Sequence, residues 1–503
     1  MKKSMFTRIL ALLFAVMMLI SIVACTKDPD KNKESETPAT TDPITPDDSG
    51  SGVESETVPT WDTKNFYNGE TFTVLAYDAV NKYGWSVPDD IFIEENDGEL
   101  LSSVVYQRGT VLKDKLGVSL ELVRWESGLN SELTRDIQDG EYRYQTVIPQ
   151  TLGISTLVNA AAISSVNKTG LDLTYPWFDQ QSIDLLTVKG KTVAITTDIT
   201  FIDKLCTVAV FYNKQMASDN NLGDLYEIVN NKQWNLTKML EMCETVVPAV
   251  DNDGVYNLDD TYGISCQNDG GYFFYHASGL TSVSNTANGG LTFTLNSEES
   301  VNVLETVLKL TGNKRIYFNR QSADTKLSNS AEIAEHFASG KALFLVRPIQ
   351  VLFDLAQYTD NYGIIPMPMM TETQEEYYSS VNLHATTHMC FPSKITNTAM
   401  TEDVIQWLGS YSYKNLVPVL YEVVLGSRMT QDKYSPKMLD IIFAGRMYDV
   451  GYLWDVTNVR TILTTSIGTA SIQQGSIKTS LDKYVIPIGL RIDQILTSFG
   501  GIE

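Results

Sequence analysis

The hydrophobic pattern changes period along this chain, and each change marks an element. Phe72-Thr73-Val74-Leu75-Ala76-Tyr77 is an apolar run of strand-favouring residues. Leu100 to Leu116 then carries apolar residues at helical spacing, and Gly117 supplies a stop. Val118 to Val123 alternates as a second strand, Ser131 to Asp139 is helical, and Tyr144 to Ile148 is a third strand. This β-α-β-α-β order implies a mostly parallel sheet with helices on both faces.

A second α/β series begins at Cys206–Tyr212, a short buried strand. Helices follow at Leu236–Val247, Val301–Leu310 and Ala331–Ala338, the last ended by Gly340. Ala342–Val346 is an apolar strand, and Pro348 is expected to stop it from continuing as a central strand. Tyr362–Pro366 and Met389–Pro392 are short extended pieces, Thr401–Tyr411 is a helix, and the chain from Leu416 on is mainly helical.

The first residues read as a targeting segment. Lys2, Lys3 and Arg8 precede an apolar run, Ile9 to Ala24, that suits an exported leader better than a spanning helix. It ends in Ser21-Ile22-Val23-Ala24-Cys25, which resembles a bacterial lipobox. Residues 1–24 are therefore read as a lipoprotein signal peptide and Cys25 as the acceptor of two acyl chains, enough for stable anchoring. Residues 25–60 hold five of the sixteen prolines, many acids and almost no aliphatic residue, so they form an extended tether. The implied location is the extracytoplasmic face of the cell membrane.

Composition narrows the function. The 503 residues carry 38 Lys and Arg against 61 Asp and Glu, a net charge of −23. Such a chain repels phosphate backbones, which argues against nucleic-acid partners. Cys206, Cys243, Cys266 and Cys390 lack C-x-x-C spacing and read as buried free thiols. His384 and His388 lack the Glu of a zincin motif. Asp251 to Asp260 resembles a calcium loop, but its first position falls on Ala249, so an Asx-Gly turn is the favoured reading. Neither a metal nor a cofactor is expected. The pairs Asp89/Asp90 and Glu94/Glu95 read as a solvated polar turn. No nucleophile elbow, Ser-x-x-Lys motif or Walker loop is present, so the chain is read as a non-enzyme.

Several segments then resemble, in order, the extracellular solute-binding proteins of bacterial ABC transporters, of the family-1 type and clostridial lipoprotein kind. They are Tyr175–Phe178, Gly190-Lys191 with Asp198, Phe211–Lys214, Leu225–Val229, Gln233–Thr237, Phe337–Ala342, Tyr362–Pro368 and Met438–Ile442. Departures are Phe178 where a second Trp is usual and Asn235 at a helix cap, where Asn serves equally well. The resemblance implies an α/β, two-lobed periplasmic-binding-protein-like (type 2) fold with the ligand in an inter-lobe cleft. The body is residues 61–503, with lobe 1 at about 61–195 and 383–430 and lobe 2 at about 196–382 and 431–503. It implies capture of a small polar solute, most often a sugar or oligosaccharide, and delivery to ABC permease subunits. The alternatives are a secreted carbohydrate-active hydrolase or a surface lipoprotein outside transport.

Sugar sites combine aromatic faces with planar polar side chains. Candidate ligand-binding residues are Trp177, Asp198, Tyr272, Arg347 and Trp454. Asp78 and Trp85 follow the first strand. Tyr272 to Tyr275 is read as alternating, so one or two of its rings face the cleft. Trp234 and Trp407 are assigned to the core.

Overall fold

The apolar run at 72–77 becomes β1 (Glu70–Tyr77), the middle strand of a parallel sheet with β2 (Val118–Trp125) and β3 (Thr146–Ile148). Glu70 aligns with Val118 and Tyr77 with Trp125; Val74 aligns with Thr146. The computed structural model describes residues 59–83, 87–247, 258–319, 331–355, 362–429, 433–456, 459, 461–463 and 476–502. The leader, Cys25, nearly all of the tether, Trp85 and residues 248–257 of the calcium-like loop lie outside the described residues. The helix Leu100–Leu116 buries Leu101, Val105, Leu112 and Leu116 against the sheet. Gly117 ends it at φ 68°, with its N–H returned to Lys113 O. A Cβ there would meet the Phe66 ring at 2.7 Å, so only glycine fits this turn.

The second sheet has five strands: β4 (Val208–Asn213), β5 (Tyr262–Cys266), β6 (Tyr317–Asn319), β7 (Ala342–Pro348) and β8 (Tyr362–Ile365). Their order is β6-β5-β7-β4-β8, with β4 antiparallel to both neighbours. Every residue of β4, β5 and β7 is buried, as their unbroken apolar runs require of strands covered on both faces. β7 continues past Val346 to Pro348, contrary to expectation. On the β5 side its pairing stops at Val346↔Cys266; only the β4 side continues, to Pro348↔Val208. Proline is tolerated because one flank is already unpaired.

Tyr272–Tyr275 is not extended. It lies in a helix, Gly270–His276, all seven residues of which are buried. Gly270 allows this, since a Cβ there would sit 1.8 Å from Tyr317 Oη. Helical geometry spreads four consecutive rings around the whole circumference, so all four become core.

Of the three passes the chain makes between the lobes, the first two pair with each other. They are paired antiparallel at Ile195↔Met389 and at Thr207↔Val381. The helix Val417–Met429 packs on Leu100–Leu116, while Ser435–Ala444 packs on β8. The last helix, Val485–Gly501, packs on both Ile154–Asn159 and Leu291–Phe293. The four cysteines among the described residues are buried and free, and burial pushes the Cys206 and Cys266 thiols up to about 12. Among the described residues no helix is long and apolar enough to cross a membrane, and no group of three His, Cys, Asp or Glu is placed to hold a metal.

Candidate functional site

The carboxyl ends of strands are where open α/β sheets place ligands. The segment following β1 and the helix following β7, Val351–Leu355, together line a cavity of about 440 Å³. Val87, Pro88 and Leu101 line it with Leu100, Phe353 and Val423, and Asp97, Glu99 and Ser102 supply its polar groups. That volume suits a small organic ligand. Leu100 is 52% exposed, an unusual state for the first leucine of a core-facing helix.

The polar groups are fixed by the way the helix Leu100–Leu116 begins. Asp97 Oδ1 accepts the Glu99 N–H and Oδ2 accepts the Ser102 hydroxyl, both at 3.0 Å. Asn96 Oδ1 accepts from Gly98 N and Ser103 Oγ, each at 2.9 Å. Glu99 stands at the N-cap position yet makes no side-chain cap bond. Its carboxylate therefore adds an exposed acceptor at the positive end of the helix dipole.

Behind the cavity, Asp90 is only 2% exposed, which corrects its reading as solvated. Arg124 donates to Asp89 Oδ2 at 2.7 Å, Tyr77 O at 2.9 Å and Asp90 Oδ1 at 3.4 Å. Asp90 Oδ2 accepts from Phe201 N at 3.3 Å. Burial raises the Asp90 carboxyl and the Arg124 charge works against that rise. Buried Arg108 donates to the carbonyls of Asp90, Ile91 and Ile199, and burial lowers it to about 10. The cavity wall is thus bolted to the first crossing segment.

None of the five sequence-derived candidates lines this cavity. Trp177 is 1% exposed, stacked on Tyr175 at 4.3 Å, with room made by Gly409. It is a core residue of the first lobe. Trp454 is fully buried, edge-on to Phe499 at 5.0 Å. Asp198 accepts from Lys204 Nζ at 2.7 Å, within a group of buried charges. There Arg446 reaches Asp179 at 2.7 Å and Asp203 at 2.8 Å, and Tyr448 donates to Asp179 Oδ2 at 2.8 Å. Burial works to raise Asp179, but the Arg446 charge prevails and holds it low.

Tyr272 and Arg347 lie nearer the crossing. The Tyr272 hydroxyl donates to Val381 O at 3.2 Å, and its ring lies 5.7 Å from Tyr452. Arg347, in β7 six residues before Phe353, opposes with its charge the burial-driven rise of Cys266 and Asp354. Asp78 accepts from Asn81, turning the chain after β1. The cavity residues Asp97, Glu99 and Phe353 escaped sequence reading. Their only local signals are the Asp-Gly-Glu start of a helix after the first strand and a ring just beyond Arg347-Pro348.

Two α/β lobes, two paired crossings and a cavity between strand ends define a periplasmic-binding-protein fold. Residues 112–416 match the family of bacterial extracellular solute-binding proteins, and the chain belongs to it. The fold is similar to an extracellular solute-binding protein from Staphylococcus aureus in complex with maltose, with a TM-score of 0.55 and 13% identity over 86% of this chain and 99% of that one. It is also similar to the maltose-binding periplasmic protein of Listeria monocytogenes in complex with maltose, at TM-score 0.52 and 14% identity over 85% and 99%. A cyclo/maltodextrin-binding protein complexed with maltotetraose gives 0.51 and 14% over 85% and 97%. No curated protein matches the chain in sequence.

Proposed function

We propose that this solute-binding protein captures a carbohydrate or oligosaccharide in the cavity between its lobes and hands it to an ABC importer without chemically changing it. The observation that carries the reading is the cavity's composition. Asp97 and Glu99 offer acceptors for sugar hydroxyls, and Phe353, Leu100 and Val423 offer surfaces for C–H faces. The maltose- and maltotetraose-bound proteins of similar fold favour the same class of solute. In this reading the lobes divide near residues 195 and 383. Arg347 bears on the site from the second lobe through its charge on Asp354, next to Phe353, whereas Tyr272, Trp177, Trp454 and Asp198 hold the scaffold. Cys25 is the lipid acceptor that keeps the body at the outer face of the membrane.

The test is a thermal-shift screen of mono- and oligosaccharides, run beside a glycosidase assay on every hit. A raised midpoint with no product supports a binder. Product formation would establish the hydrolase alternative, and a screen without any sugar hit would redirect the ligand to another polar solute.

A further inference from the structure

Three elements distant in sequence meet where the lobes touch. The first is the hairpin formed by Thr187–Val188 and Lys191–Thr192. The second is the hairpin formed by Val283–Asn285 and Leu291–Phe293. The third is the end of the C-terminal helix Val485–Gly501. Lys189 N donates to Gly289 O at 2.7 Å, joining the two hairpin tips. Asn285 Nδ2 donates to Asp184 O at 2.9 Å and to Leu185 O at 3.0 Å. Lys189 Nζ donates to Leu496 O at 2.8 Å, and Lys191 Nζ to Phe499 O at 3.0 Å and to Ile502 O. Ser498 Oγ donates to Asn159 Oδ1 at 2.8 Å. The Lys191 ammonium thus sits on the last carbonyls of the helix, its negative end, and the Lys189 ammonium lies one turn further in.

The turn that presents them is strained. Lys189 has φ 51° and Gly190 has φ 71°, a pairing of positive angles that two-residue hairpins normally fill with Asn-Gly. Lysine at such an angle is disfavoured, and retained strain of this kind marks a position with another task. Here the task is visible, because Lys189 uses both its main-chain and its side-chain nitrogen to reach across the lobes.

We propose that this junction is a clasp. The first-lobe hairpin grips both the second-lobe hairpin and the end of the C-terminal helix, and its release sets how often the cleft opens. Solute entry requires that release, because the Lys189–Gly289 bond cannot survive separation of the lobes.

Hydrogen exchange of the full-length, solute-free protein tests this without any assumption about the ligand. In Lys191→Ala, peptides covering 187–192 and 283–293 are expected to exchange about five to ten times faster, the effect of removing partly exposed charge-assisted bonds. Lys189→Asn should do the same while leaving the thermal midpoint unchanged or raised, since Asn relieves the turn strain. Peptides of β1 and β4 should exchange at the wild-type rate in both variants. Unchanged exchange at both hairpins overturns the clasp. So does an equal rise across the sheets, which identifies the lysines as general supports of the fold.

Discussion

The indole N–H of Trp177 donates to Gln406 Oε1 across 2.9 Å inside the first lobe. Residues 229 apart in sequence are tied there, and the tie commits the ring to packing. Trp177→Ala should cost about 3–5 kcal/mol of stability. Trp177→Phe keeps most of the ring but strands the Gln406 oxygen, at about 1–3 kcal/mol. Solute affinity should be unchanged in both. Denaturant melts and titration calorimetry on the same samples check this; lost affinity with retained stability would return Trp177 to the cleft.

Affinity should respond at the cavity instead. Glu99→Gln and Phe353→Ala remove an acceptor and an apolar face from exposed or half-exposed positions, so stability should hold. Each should weaken sugar binding about tenfold, the equivalent of roughly 1.4 kcal/mol. Calorimetric titration with the best sugar from the screen reads this directly. Wild-type affinity in both variants places the solute elsewhere.

Arg446 is the counter-charge of two buried carboxylates, Asp179 and Asp203. Arg446→Met takes the closest cation from both, leaving Asp203 only Lys204 at 3.7 Å, and breaking a buried pair in this way costs about 3–5 kcal/mol. Protonation relieves the stranded charges, so the variant's melting midpoint should gain on the wild type as pH falls from neutral towards about 5. A constant difference between the two across that range would show that the carboxylates have found other partners.

His388 is buried beside Thr196 Oγ1 at 3.0 Å, and burial pushes it down to about 4. The unfolded chain takes up the proton near pH 6.5 while the folded chain resists, so stability is full above 6.5 and falls as pH drops towards 4. The shift is worth at most about 3 kcal/mol. His336 is likewise lowered to about 4 and works in the same window, whereas Asp90, raised by burial, works against both. His388→Gln should therefore flatten, without abolishing, the loss of stability between pH 6.5 and 4. Chemical melts at four pH values measure the slope, and an unaltered slope would remove His388 as a contributor.

Anchoring is checked by fractionation. Cys25→Ser should release the folded body to the medium or leave an unprocessed precursor, because one thioether carries the whole lipid attachment in the proposed scheme. A variant that fractionates and processes like the wild type overturns the lipobox reading.

Much of the scaffold was legible because its signals are local. Gly117 stops a helix through its own backbone angle, and Asn235 caps one by accepting the Lys238 N–H at 2.8 Å. The two-lobed fold was legible through ordered short segments, none decisive alone. Tyr272–Tyr275 was misread because strand-favouring residues in a seven-residue helix leave no helical period to detect. The cavity escaped for a different reason. Its residues come from an acid-rich turn, a helix start, Phe353 and Val423, and only the tertiary fold makes neighbours of them. Trp177 stood among the aromatic candidates, but the space that receives its ring belongs to Gly409, far along the chain.

The two paired crossings carry one more consequence. Ile195 and Met389 exchange both main-chain hydrogen bonds at 2.9 Å, and Asn382 N donates to Cys206 O at 2.9 Å near the other end. Two independent linkers would let the lobes tumble against each other. A ribbon paired at both ends resists torsion but bends easily across its face, and the chain's return between the helices Val417–Met429 and Ser435–Ala444 adds a third connection, so the lobes are held to a narrow range of rotation. Solutes of different shape must then be engulfed along one trajectory, and an importer that recognises the closed body meets the same surface whichever solute is inside.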